Sequence, residues 1–216
     1  YLAGKNYVFW YDTPDGSGPD DRPTVEDMAA SLDEVARVIR DEQPDILLLQ
    51  EVDEGAKPSS YQDQLALLQE RLADLYPCSA QAFDWKADFV PDLHIFGSAA
   101  RRGGPTTRSQ TEHAERLQLP VARANLISRQ FQPKPALLLT YLPLSDGGQL
   151  AVLNTRLDGT APGHNAVQEQ VQATVKLVDK FESRGTPWLM GGDFNLLPLG
   201  QFLRLDAGKR GQYSPD

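Results

Sequence analysis

The chain alternates stretches of helical and strand-like hydrophobic spacing, so its order of elements can be read directly. Residues Asp12 to Pro23 are dense in Asp, Gly and Pro and read as a loop. Thr24 with Asp27 then forms a capping pattern. Val25, Met28, Leu32, Val35 and Ile39 recur at three-to-four spacing until Gln43-Pro44, which predicts a helix with those residues as its buried stripe. Asp45 to Gln50 is a continuous apolar run, as expected for a strand covered on both faces. Ser60 and Asp63 are expected to cap a second helix with the stripe Tyr61, Leu65, Leu68, Leu72 and Leu75, closed by Pro77. Ala136 to Leu142 and Leu150 to Asn154 read as two strands joined through Ser145-Asp146-Gly147-Gly148, a hairpin turn signal. Asn165 to Phe181 predicts a third helix facing inward through Val167, Val171, Val178 and Phe181. Gly185-Thr186-Pro187 leads out of it into the apolar strand Trp188-Leu189-Met190.

One stretch breaks the pattern. Ser98 to Arg116 carries Arg101, Arg102, Arg108 and Arg116, two adjacent glycines and otherwise mainly small or polar residues. It offers no side chains for a buried strand and reads as an exposed, mobile loop. Its arginines could grip phosphates, but a solvated loop is the expected reading.

Composition narrows the function classes. At 216 residues, with 40% hydrophobic and 24% charged content, the chain suits one large domain with a buried core. No apolar run is long enough for a membrane-spanning helix. The formal net charge of -9 works against loose attraction to nucleic acid or anionic lipid, although local arginines or bound cations can reverse it at a site. Cys78 is the single cysteine, so neither an internal disulfide nor a cysteine-based metal cluster can form. Tyr1 in place of methionine, without a signal-peptide pattern, leaves room for an upstream segment, and no localisation is legible.

Three places carry candidate chemistry. The most informative is Gly191-Gly192-Asp193-Phe194-Asn195, where an apolar strand runs into flexible residues and then sets a carboxylate and an amide two positions apart. On an extended backbone Asp193 and Asn195 point the same way. Alternatively, Gly-Gly-Asp forms a turn and Asn195 caps the next segment. The second place is Leu47-Leu48-Leu49-Gln50-Glu51, which brings a carboxylate out of a buried strand. Such a charge needs a cation or hydrogen bonds, so Glu51 is either a ligand for a hard cation or one half of an ion pair. The third is Asn154-Thr155-Arg156-Leu157-Asp158, at the end of another predicted strand.

This order of strand ends, Gln-Glu, Asn-Thr-x-Leu and Gly-Asp-Phe-Asn, resembles the endonuclease/exonuclease/phosphatase superfamily over Gln43 to Pro198. The resemblance implies an α/β fold: a four-layered sandwich of two mixed β-sheets face to face with helices outside. It also implies hydrolysis of a phosphodiester or phosphomonoester with Mg²⁺ or Mn²⁺. By the same resemblance, Glu51 would bind the metal, Asp193 would orient or activate the attacking water, and Asn195 would contact the scissile phosphate. Asn6, ahead of Tyr7-Val8-Phe9-Trp10, is matched to the family's amino-terminal asparagine, a second metal-site residue. The substrate would be a phosphodiester-bearing small molecule, lipid or nucleic acid. The net acidity favours a small or lipid-derived one over long duplex DNA.

Three departures qualify the resemblance. Arg156 stands where the family has histidine; arginine supplies charge and parallel donors to phosphate but cannot shuttle a proton near neutral pH. The family's middle strand, Gly-x-Ala-x-Leu-Ser-Arg, is met only by Gly97-Ser98-Ala99, so that strand is expected to be missing or displaced to Val121 through Arg129. No Ser-Asp-His follows Asn195, and His94, His113 and His164 have other neighbours and read as surface or loop residues. The expectation is therefore a single domain over residues 1–216 that lacks its C-terminal strands and has impaired hydrolysis. A completing segment, or a second chain, would restore it. The alternative is a non-catalytic member that binds a phosphate ligand or a protein.

Overall fold

In a computed structural model, the structure describes residues 15, 17–18, 23–56, 59–90, 97–107, 113–121, 126, 128–158 and 166–206. For 88–90, 97–106, 128 and 129 it describes the backbone alone. Asn6, Arg108, His94 and His164 lie outside the described residues.

Helix α1, Val25–Glu42, begins where the sequence predicts: the Thr24 hydroxyl accepts from the Asp27 N–H at 3.1 Å. It ends at Gln43, whose φ of 46° turns the chain out of the helix while its N–H bonds Ile39 O. The buried face differs from the expected stripe. Met28, Ala36 and Ile39 are buried, whereas Val25 and Val35 are exposed. The small Ala36 in place of Val35 at the contact lets α1 lie close to α2, Gln64–Leu72. Ala36 and Ile39 form one apolar cluster with Leu68, Leu72, Tyr76, Leu47 and Leu49, so both helices cover one face of strand β1. Arg40 clasps Asp74 across the two helices at 2.6 and 2.8 Å. Asp63 alone caps α2, accepting from Ala66 N–H. Ser60 and Tyr61 have φ of 53° and 60°, outside the helix, which leaves Tyr61 exposed instead of in the stripe.

Strand β1, Ile46–Asp53, pairs antiparallel with β4, Gly97–Thr107. β4 also pairs antiparallel with β2, Cys78–Ser79, and β3, Ala82–Val90. The expected loop over Ser98 to Arg116 is thus corrected to β4 followed by β5, His113–Gln118. Ladder hydrogen bonds need no apolar side chains, and β4 has backbone partners on both sides, so its pairing comes from its neighbours. Polar β5 lies largely exposed, in keeping with its composition. Gly97 opens β4, so a strand is present where the family's middle strand is expected to be missing, while most of Val121 through Arg129, the alternative place, lies outside the described residues. Ser128–Phe131 at its end is a short helix, α3.

The second sheet runs β5-β6-β7-β8, with β6 spanning Ala136–Pro143, β7 Gln149–Arg156 and β8 Trp188–Asp193. The β6–β7 hairpin turns at Asp146-Gly147, where Gly147 has φ 84° and Asp146 accepts from Gly148 N–H. β7 and β8 are parallel and joined through α4, Ala166–Arg184. This sheet is mixed, whereas the described pairs of the first are all antiparallel.

α4 covers one face of the second sheet, where Phe181 packs with Leu137, Leu139, Leu153 and Leu157. Val167, Val171 and Val178 are only half-buried, and Gln170 takes the deepest place on the helix. It accepts from Asp158 N–H at 2.9 Å and donates to Pro120 O at 2.8 Å, which satisfies its buried amide. The opposite face of this sheet meets β1, where a Cβ on Gly191 would stand 2.6 Å from Leu48 Cδ1. Among the described residues no helix is long and apolar enough to cross a membrane.

Candidate functional site

Period-two alternation sorts the strand residues. Leu47 and Leu49 of β1 face the helices, so Leu48 and Gln50 face β7 and β8. On β7, Ala151 and Leu153 face α4, leaving Asn154 and Arg156 toward the first sheet. The two inner faces are tied by Asn154, which is 4% exposed. Its Oδ1 accepts from Gln50 Nε2 at 2.7 Å and its Nδ2 donates to Leu49 O at 2.8 Å. This pair of bonds fixes the middle of β1 against the end of β7.

Glu51 is not at a strand end, as the sequence suggests, but in a bulge within β1. The ladder passes from Leu49 opposite Gly104 to Val52 opposite Arg102, so Gln50 and Glu51 together face one residue. Glu51 has φ 56°, a left-handed conformation that non-glycine residues seldom adopt. Bulges of this kind re-aim a side chain. Here the carboxylate meets Arg156, with Arg156 Nη2 to Glu51 Oε1 at 2.9 Å.

Asp193 ends β8 directly opposite Arg156 in the parallel register. Leu157 N–H donates to Asp193 O, joining the two strands beyond that point. Such close approach needs glycine before the aspartate. Gly192 has φ 144°, and a Cβ there would lie 1.9 Å from Thr155 O. The extended geometry expected to aim Asp193 and Asn195 alike does not hold. Asn195 has φ 48°, its N–H donates to Asp193 Oδ1 at 2.9 Å, and its Nδ2 donates to Leu157 O at 2.6 Å. The turn reading does not hold either, because Gly191-Gly192-Asp193 is the paired end of β8, and Asn195 just beyond it commits one amide hydrogen to Leu157 O.

Arg156 therefore stands among three carboxylates: Glu51, Asp193 at 3.7 Å from Nε, and Asp84 at 3.8 Å from Nη1. Its Nε is buried and has no hydrogen-bond partner. Asp84, on β3 and 9% exposed, carried no signal in the sequence, because only the pairing of β3 with β4 brings it here. A small cleft lined by Gln50, Glu51, Ala82, Asp84, Asn154 and Arg156 opens at this point. Glu51, Arg156, Asp193 and Asn195 are thus brought to one edge of the molecule. Arg116, from the expected phosphate-gripping cluster, is engaged elsewhere: it donates to Phe83 O, Gln118 Oε1 and Lys134 O.

Comparison with known proteins gives this arrangement a context. The model of the Endonuclease/Exonuclease/phosphatase family matches residues 10–214. No curated protein matches the chain by sequence. Among solved structures, an endonuclease/exonuclease/phosphatase from Beutenbergia cavernae aligns over 77% of this chain and 42% of its own, with 24% identity and a TM-score of 0.59. TDP2 from Caenorhabditis elegans aligns over 80% of this chain and 44% of its own, with 17% identity and a TM-score of 0.52. The human Nocturnin catalytic domain, solved with a bound sulfate anion, aligns over 85% and 68%, with 19% identity and a TM-score of 0.50. The chain spans less than half the length of the first two of these structures.

Proposed function

Because the chain belongs to the endonuclease/exonuclease/phosphatase family, we propose that it hydrolyses a phosphoester, a phosphodiester in the first instance, using Mg²⁺ or Mn²⁺. We take residues 1–216 as one domain of the four-layered kind, α1 and α2 outside one sheet and α4 outside the other. The observation that carries the reading is the convergence of Glu51, Arg156 and Asp193 from three strands, secured by the Gln50–Asn154–Leu49 bonds.

The donor chemistry fits a hard cation in part, since the carboxylates of Glu51 and Asp84 line the cleft and Mg²⁺ keeps several waters. Among the described residues no three acidic, histidine or cysteine side chains stand close enough to enclose a metal by themselves. Glu51 would hold the cation in part, and Asn6 is its proposed companion. When bound, the cation polarises the phosphate and lowers the pKa of a nearby water. Asp193 presents Oδ2 to that water, its Oδ1 being engaged by Asn195 N–H. The second amide hydrogen of Asn195 donates to the phosphate. Arg156 steadies developing negative charge without taking part in proton transfer. With no histidine among these groups, hydrolysis should be slow.

A small-molecule, lipid or nucleic-acid phosphodiester suits the cleft chemistry, and the net charge of -9 favours the first two. A second reading, a non-catalytic member that binds a phosphate ligand or a protein, is favoured by the guanidinium at the usual imidazole position. Hydrolysis of bis(p-nitrophenyl) phosphate with and without Mg²⁺ tests the choice. Asp193→Ala should lower the Mg²⁺-dependent rate about a hundredfold or more. Equal rates for the two proteins would remove Asp193 from catalysis and leave the binding reading.

A further inference from the structure

The guanidinium of Arg156 lies where the carboxylates of Glu51, Asp193 and Asp84 converge. It is 2.9 Å from Glu51 Oε1, 3.7 Å from Asp193 Oδ2 and 3.8 Å from Asp84 Oδ2. Only the first contact is at hydrogen-bonding distance, and Nε has no hydrogen-bond partner. The arginine is therefore held by charge more than by directional bonds. Its side chain is 19% exposed and that of Glu51 is 50% exposed, so solvent reaches one side of the pair.

From this we infer that Arg156 is a built-in counter-cation that competes with the divalent metal for Glu51. The inference rests on the proposed metal role of Glu51 and goes beyond it. A monovalent cation already neutralises part of the carboxylate charge, and its like charge repels an incoming Mg²⁺ or Mn²⁺. Binding of the metal requires the guanidinium to leave Glu51. A phosphate oxyanion is a natural acceptor for the displaced donors, because guanidinium pairs with phosphate through parallel N–H bonds. The residue that replaces the family's imidazole thereby sets a threshold for metal loading that a neutral imidazole would not set.

The test is Mn²⁺ binding, followed by the electron paramagnetic resonance signal of free Mn²⁺, for the unsubstituted chain, Glu51→Gln, Arg156→Ala, Arg156→Met and the double variant Glu51→Gln/Arg156→Ala. Folding of each is checked by circular dichroism, and Arg156→Met keeps the apolar bulk if Arg156→Ala does not fold. Removing Arg156 should tighten Mn²⁺ binding about tenfold or more, and the double variant should lose that gain. Unchanged or weaker binding in the folded Arg156 variants, with Glu51→Gln still reducing it, overturns the competition while leaving Glu51 as the metal ligand. Binding that is indifferent to Glu51 in both backgrounds overturns the metal assignment and the competition with it.

Discussion

Arg116 and Arg156 both reach from the second sheet toward β3, and their guanidinium groups meet opposite kinds of neighbours. Arg116 donates to Phe83 O, Gln118 Oε1 and Lys134 O at 2.8 to 3.0 Å, all neutral and all at hydrogen-bonding distance. Desolvation lowers its pKa from the ordinary value, and the charge of nearby Asp84 offsets only part of that. Arg156 faces three carboxylates, two of them beyond hydrogen-bonding distance, and has a buried Nε without a partner. One arginine is used up by the fold; the other keeps donors in reserve. Residue type alone does not separate a strap from a site, but the chemistry and distance of the acceptors do.

The largest effect should come from breaking the Arg156 end without touching the other. Gly192→Ala places a methyl group 1.9 Å from Thr155 O, a backbone atom that cannot swing aside. It should cost about 3 kcal/mol or more by chemical denaturation. Gly191→Ala meets only the tip of Leu48 and should cost clearly less, and similar losses for the two would refute the close β7–β8 approach. Next, Arg116→Leu removes three hydrogen bonds, two of which link β5 to β3 and to the segment before β6. A loss of about 1 to 2 kcal/mol with Mn²⁺ binding unchanged is expected, and altered Mn²⁺ binding would erase the contrast between the two arginines. The smallest effect is that of salt. Any stability lost in Arg156→Met should shrink between about 0.05 and 1 M NaCl, by less than about 1 kcal/mol. The loss in Arg116→Leu should change less, because its acceptors are uncharged and only nearby Asp84 acts on it by charge.

Much of this architecture can be read one residue at a time. Thr24, Gln43 and Asp63 mark helix boundaries through local hydrogen bonds, and Asp146-Gly147 marks a hairpin for the same reason. Glu51, Arg156, Asp193 and Asn195 could be singled out because each leaves an apolar run at a similar point. Asp84 had no such signal: it sits among Phe83, Trp85 and Lys86 in an ordinary alternating strand. The arginine-bearing segment was misread for a related reason, since β4 offers little hydrophobic pattern and is paired by neighbours distant in sequence.

The chain's own letters were enough to specify the alternation of helices and strands, the caps and turn, and the order of the polar strand ends, because these depend on contacts between residues a few positions apart. Tertiary structure alone decided which face of α1 is buried, that β4 is a strand, that Glu51 turns out of a bulge at φ 56°, and that Asn195 bonds back to Leu157 O. It also decided that Asp84 and Arg156 meet. Each of these follows from apolar packing, hydrogen bonding or charge contact between distant segments, and the free energy of such contacts exists only once those segments have been brought together.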